Sequence, residues 1–218
     1  MVVQSNPWLN VDWNNTLADN DKSFPLLLKK GFLFQQDTLP EPYNGNVKSK
    51  VYCLGMNPGE KDFLFEMSKS NRDLLLKYSQ KNLSHKIKDN MWFHLYEHNG
   101  YCWWRKITSE LRKELRRNPQ MFIIEYFPYH SKNGFKFPTN LPSYSYSNWL
   151  IEKAIKDHKY ILILRHKTQW FNRIKRLESY ERLFYIDPRK SRYLVISKSN
   201  ILKGKNCTCD INDLINNF

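Results

Sequence analysis

Val51-Tyr52-Cys53-Leu54-Gly55-Met56-Asn57-Pro58-Gly59-Glu60 decides how this chain is read. A short apolar run breaks at once into a tight Gly-Met-Asn-Pro-Gly loop, and an amphipathic segment, 62–78, follows. The pattern predicts strand, loop, helix. Gly55 and Gly59 are expected to let the backbone bend and approach a ligand closely. Pro58 fixes its own φ and pushes Asn57 towards an extended conformation. The loop should end near a helix N-terminus, where free N–H groups favour an anion. Read this way, the stretch is an active-site corner that holds one amide side chain. Read more plainly, it is a βα turn in which Asn57 is only a turn residue.

Working outward, further strands are expected at 121–125, 160–164 and 193–196. Helices are expected over 103–117, over 146–157 and through Trp170 and Ile174, and Asp210 is placed to cap a last short helix with Ile211, Leu214 and Ile215. Residues 183–186 read as a short apolar piece, 35–50 as loop, and 132–143 as a long surface loop. The chain divides into an N-terminal arm and cover (1–50, with Trp8 and Trp13 holding the arm on the core), an α/β core (51–200) and a C-terminal extension (201–218). Short apolar strands alternating with helices argue for an α/β fold with a parallel sheet covered on both faces. Ligands then bind beyond the carboxyl ends of the strands. Those ends carry residues 55–60, 126–131, 165–167 and 197–200, and their convergence predicts one site.

Lysine and arginine number 35 against 21 acidic residues, a formal net charge of +14 over 218 residues. A domain this basic suggests a polyanionic partner, with nucleic acid first and a membrane surface a weaker alternative. Cys53, Cys102, Cys207 and Cys209 show no zinc spacing, so reduced thiols, no metal and a cytoplasmic protein are expected. No apolar run reaches membrane-spanning length, and the first residues lack the pattern of a signal peptide. A monomer is expected.

The strand ending in Gly55-Met56-Asn57-Pro58-Gly59 resembles the first motif of the uracil-DNA glycosylase superfamily. It is most similar to the branch with a Gly-hydrophobic-Asn-Pro-Gly loop, the mismatch-specific and single-strand-selective enzymes. Asn99-Gly100-Tyr101-Cys102-Trp103-Trp104 resembles the segment of that family where a glycine precedes an aromatic pair opening a helix. The second strand, with its Phe127-Pro128-Tyr129 exit, resembles the family's base-recognition strand. The resemblance covers roughly residues 50 to 200. It implies a three-layer α/β/α domain with a four-stranded parallel sheet.

The chemistry it implies is hydrolysis of a base–sugar bond in DNA, without cofactor or metal, on a nucleotide flipped out of the stack. Asn57 matches the water-positioning asparagine. Backbone N–H groups from Met56 onwards would stabilise charge on the base, and Phe63 or Phe65 would stack on it. Gly55, Pro58, Gly59, Glu125, Tyr126 and Asn200 complete the expected substrate contacts. The sequence departs from the family twice. Glu125 stands near where an asparagine reads the base edge, and an ionised carboxylate accepts but cannot donate, so either the base that is read changes or Glu125 is a structural partner of His130 or an arginine. The last motif reads Ser197-Lys198-Ser199-Asn200, without the usual proline and histidine. Ser199 keeps a hydroxyl there, and His130 or His166 would substitute for the histidine.

Two other readings compete. One is a nucleic-acid-binding module on the same fold without the chemistry, with Arg165, Lys167, Arg173, Lys175, Arg189, Lys190, Arg192 and Lys198 contacting phosphates. The other is a hydrolase of nucleosides or other small molecules that uses the anion corner of the first loop; no P-loop sequence supports it.

Overall fold

The computed structural model describes residues 4–25, 38–59, 69–88, 103–131 and 137–218. Six strands form one mixed sheet in the order β1-β3-β2-β4-β5-β6. They are β1 (Tyr43–Gly45), β2 (Val51–Leu54), β3 (Met121–Ile124), β4 (Tyr160–Ile163), β5 (Leu183–Ile186) and β6 (Ile201–Lys203). β2 is central, with Val51 in register with Met121 on one side and Tyr160 on the other, both pairings parallel. β5 runs parallel to β4. β1 and β6 close the two edges as antiparallel strands.

The α/β class is as expected, but the sheet is not a four-stranded parallel one. Its two edge strands lie in segments read as loop and C-terminal extension. The fourth parallel strand is β5, and residues 193–196 form no strand. Leu194 and Ile196 are buried because they pack over one face of the sheet, and the Ile196 N–H donates to the Ile107 carbonyl at 2.7 Å. An apolar segment that covers a sheet has the same composition as one inside it.

Alternation along the strands feeds two cores. Tyr52, Leu54, Phe122, Ile124, Ile161 and Ile163 face one, and Val51, Cys53, Met121, Ile123, Leu162 and Phe184 face the other. Helices α1 (Lys69–Leu83), α4 (Tyr144–Lys156) and α5 (Lys167–Arg173) contribute to the first core. Helices α2 (Trp103–Ile107), α3 (Ser109–Leu115) and α6 (Ile211–Asn216) contribute to the second. α2 and α3 divide the single helix expected at 103–117. They part at Thr108, whose hydroxyl donates to the Trp104 carbonyl at 2.7 Å. α6 begins with the expected Asp210 cap, completed as a capping box by Asp213. Among the described residues no helix is long and apolar enough to cross a membrane.

The N-terminal arm lies on the first core through Trp8, which is 1% exposed, and through Asp21. Asp21 Oδ2 accepts from the Tyr129 hydroxyl at 2.7 Å, and Oδ1 accepts from the Ser143 N–H, just before α4, at 2.8 Å. Burial pushes the Asp21 carboxyl up, and those hydrogen bonds oppose the shift. Removing this acceptor strands two buried donors. Asp21→Ala is therefore expected to lower stability by about 2–4 kcal/mol, and Tyr129→Phe by about 1 kcal/mol. Urea unfolding midpoints with unchanged slopes measure both.

Candidate active site

The connection after β2 leads to β3 on one side, and the connection after β4 leads to β5 on the other. The chain therefore diverges above β2 and β4, and the carboxyl ends of strands at such a divergence are where open α/β sheets bind ligands. Beyond the strands, the backbones of the β2 and β3 exits stay joined. The Gly55 N–H donates to the Ile124 carbonyl at 2.9 Å, and the Phe127 N–H donates to the Met56 carbonyl at 2.8 Å. Helix α5 fastens the same two exits from one side. Trp170 Nε1 donates to the Gly55 carbonyl at 3.0 Å, and Arg173 Nη1 donates to the Tyr126 carbonyl at 2.8 Å.

Gly55 is required here for space rather than for an unusual φ. A Cβ at this position would lie 2.2 Å from Glu125 Oε2 and 2.7 Å from its carboxyl carbon. The Glu125 carboxyl is thus pressed against the Gly55 backbone. Gly59 differs: an added Cβ would meet nothing within 4 Å, and its φ is not left-handed. The close approach expected of both glycines belongs to Gly55 alone.

Glu125 is 8% exposed, and its Oε2 has no hydrogen-bond partner among the described residues. Burial, reinforced by the nearby Glu41 carboxylate and opposed by Arg165, pushes its pKa up to about 8. At neutral pH Glu125 is a carboxylic acid with one donor and one acceptor, the same pair an amide offers. The limit noted from the sequence for an ionised carboxylate, accepting without donating, does not apply to the neutral form.

Asn57 is fixed by the exit of β3. Its Nδ2 donates to the Ser131 carbonyl at 3.2 Å, to the Ser131 hydroxyl at 3.0 Å and to the Pro58 carbonyl at 3.0 Å. Two carbonyl acceptors define which end of the amide is nitrogen. Oδ1 is left as an acceptor with no partner among the described residues. His130, 1% exposed, is tied to the same loop, where Nδ1–H donates to the Gly59 carbonyl at 2.5 Å. Its Nε2 lies 3.9 Å from Glu41 Oε1.

The structure therefore gathers Gly55, Met56, Asn57, Pro58, Gly59, Glu125 and His130. It adds Ser131, Glu41 and Trp170, which the sequence did not single out as site residues. Ser131 was legible only as the last polar residue of the β3 exit, and Glu41 gave no signal between its two prolines. Phe63, Phe65 and the segment 99–102 lie outside the described residues.

The other expected residues are placed apart. Ser199 and Asn200 stand before β6, past the carboxyl end of β5, where the Asn200 carbonyl accepts from the Asp187 N–H at 2.8 Å. The Ser199 hydroxyl bonds Ser197 at 3.1 Å, and Asn200 Nδ2 donates to the Val195 carbonyl at 2.9 Å. β5 is two strands from β2, about 10 Å away. Tyr126 is interior, edge-on to Trp170 at 5.2 Å between ring centres.

Several expected phosphate contacts have intramolecular partners. Arg189 pairs with Asp187 at 2.7 Å, Lys198 pairs with Glu114, and Lys167 lies 4.1 Å over the Tyr185 ring. Arg173 is held among aromatic rings, 3.8 Å from Tyr144 and 4.9 Å from Tyr126, and burial lowers its pKa to about 10. Arg165 and His166 are exposed at the β4 exit.

Comparison of the chain with protein-family models, curated proteins and solved structures found no match.

Two outcomes follow from this geometry. Gly55→Ala must displace the Glu125 carboxyl and is expected to cost about 1–3 kcal/mol, against less than about 0.5 kcal/mol for Gly59→Ala. The double variant Gly55→Ala/Glu125→Ala should recover part of the loss, which a double-mutant cycle in urea measures. For pH, the folded pKa of Glu125 lies above its ordinary value of 4.5. Between that value and about 8 the unfolded chain releases a proton that the folded chain keeps, so Glu125's contribution to stability falls as pH rises across that window. Glu125→Gln should flatten this part of the stability–pH curve.

Proposed function

We propose that this chain is a DNA base-excision glycosylase with a three-layer α/β/α fold of the uracil-DNA glycosylase type. It hydrolyses the N-glycosidic bond of uracil or a related modified base. The observation that carries this reading is Asn57. Its amide nitrogen is committed to two carbonyls, which leaves Oδ1 to accept from a water beyond the carboxyl ends of the strands. Such a water adds to the sugar carbon once the base begins to depart, and fixing its position is a substantial part of the catalysis. The neutral Glu125 carboxyl supports the reading, because it supplies the donor and acceptor needed at a base edge. Backbone N–H groups from Met56 onwards stabilise charge on the base. The target nucleotide enters the site flipped out of its stack, and the surplus of positive charge draws in the phosphate backbone.

One observation favours a second reading, a binding protein on the same fold without catalysis. Ser199 and Asn200 of the last motif are bonded within their own turn and not to the Asn57 loop.

The test is excision from labelled oligonucleotides carrying uracil, thymine mismatches, hypoxanthine or alkylated bases. Wild type is expected to leave abasic sites with at least one of these bases. Asn57→Ala is expected to lose about 100-fold or more in rate while unfolding cooperatively. Salt-sensitive binding by both proteins with no excision by wild type establishes the binding reading instead.

A further inference from the structure

Glu125 is more than a recognition group by its placement. It is the buried carboxyl at the carboxyl end of β3, its Oε2 is unpartnered among the described residues, and Gly55 is the glycine that makes room for it. The Asn57 loop follows Gly55 directly, so the acid, carried on the β3 exit, packs against the residue two positions before the water-positioning amide. Asn57 can orient a water but cannot take or give a proton at neutral pH. A proton delivered to the departing base would relieve the negative charge that backbone N–H groups otherwise stabilise alone. We propose that Glu125 is the donor of that proton, a general acid that protonates an exocyclic carbonyl oxygen of the base as the glycosidic bond breaks. This rests on the glycosylase reading above.

The step balances without a co-reactant. The bond between the sugar carbon and the base nitrogen breaks, and its electron pair stays with the base. The Glu125 O–H proton passes to the base oxygen and leaves a carboxylate. Water bonds to the sugar carbon, and the proton it sheds restores Glu125 through solvent. One water is consumed, and the free base and the abasic sugar are formed. Among the described residues, the charged and titratable groups that act electrostatically with Glu125 are Glu41 before β1, the Cys53 thiol of β2 and Arg165 after β4. Glu41 and burial keep the acid protonated until it is used, and Arg165 stabilises the carboxylate formed afterwards.

General acid catalysis matters most when the leaving group is poor. Uracil and 5-fluorouracil in the same oligonucleotide separate the two cases, because the fluorinated ring departs more readily as an anion. Glu125→Gln keeps a donor and an acceptor but cannot transfer a proton. It is expected to lower single-turnover excision of uracil by about 100-fold or more, and of 5-fluorouracil by less than about tenfold. Wild-type excision of uracil should fall as pH rises through about 8, and 5-fluorouracil should show a much weaker fall. That second comparison needs no variant and stands even where Glu125→Gln fails to fold. Equal losses on both bases, or an equal alkaline fall for both in wild type, overturn the role of Glu125 and leave the glycosylase reading intact. Absence of uracil excision by wild type overturns this inference, and absence across the whole panel overturns the glycosylase reading with it.

Discussion

The contact between the Glu125 carboxyl and the Gly55 backbone governs this structure. A carboxyl is placed where any other side chain on residue 55 would collide with it. That is possible only because the β2 and β3 exits remain hydrogen-bonded after the strands end. Trp170 and Arg173 of α5 then hold the carbonyls of both exits. The rigidity of the corner thus comes from outside the loop. A Gly-Met-Asn-Pro-Gly sequence alone does not specify it, and a dry environment for one carboxyl is what the surrounding bonds create.

The charge of +14 does not translate directly into a phosphate-binding surface. Arg173 lies inside an aromatic cluster and is tied to two backbone carbonyls, those of Tyr126 and Tyr144. Arg189 orders its own turn through Asp187, and Lys198 bridges to Glu114. Exposed pairs of this kind contribute little to stability, but they direct where the cation sits. Arg165 stands exposed at the exit of β4, close enough to Glu125 to oppose its shift. Cationic character near the site comes from that exit more than from the basic turn at 188–192.

Three of the four inner strands were legible in the sequence because each is a run of apolar residues interior to the sheet, buried on both faces. β5 has the same character but is only four residues long, and the apolar segment 193–196 beside it offered an equally good pattern. Composition cannot tell a strand in a sheet from a segment lying across it. β1, Tyr43-Asn44-Gly45, is an edge strand with a polar residue and a glycine, so it carries no strand signal at all. Within the site, Gly55 and Asn57 were legible from the loop. Glu125 was legible as a residue but not as an acid, because its protonation depends on burial that only the fold supplies and on Glu41, far earlier in the chain. Ser131 and Glu41 gave no pattern, since their roles come from which loops the sheet brings together.

A neutral glutamic acid and an asparagine present the same number of donors and acceptors along one edge, so replacing one by the other need not change which base is held. They differ in what happens after binding. An amide keeps its protons, whereas the acid can release one when charge develops beside it. Burial sets the cost of that release, and the neighbouring charges adjust it in opposite directions. Glu41 raises the cost by repelling the carboxylate, and Arg165 lowers it by attracting the same species. In the proposed reaction, a departing base that gains negative charge would add a third influence, because it would strengthen the pull on the proton only while the bond is breaking. The interior therefore favours the neutral form of the acid in the resting state, and in the proposed reaction it would favour proton transfer only at the moment when the base can accept it.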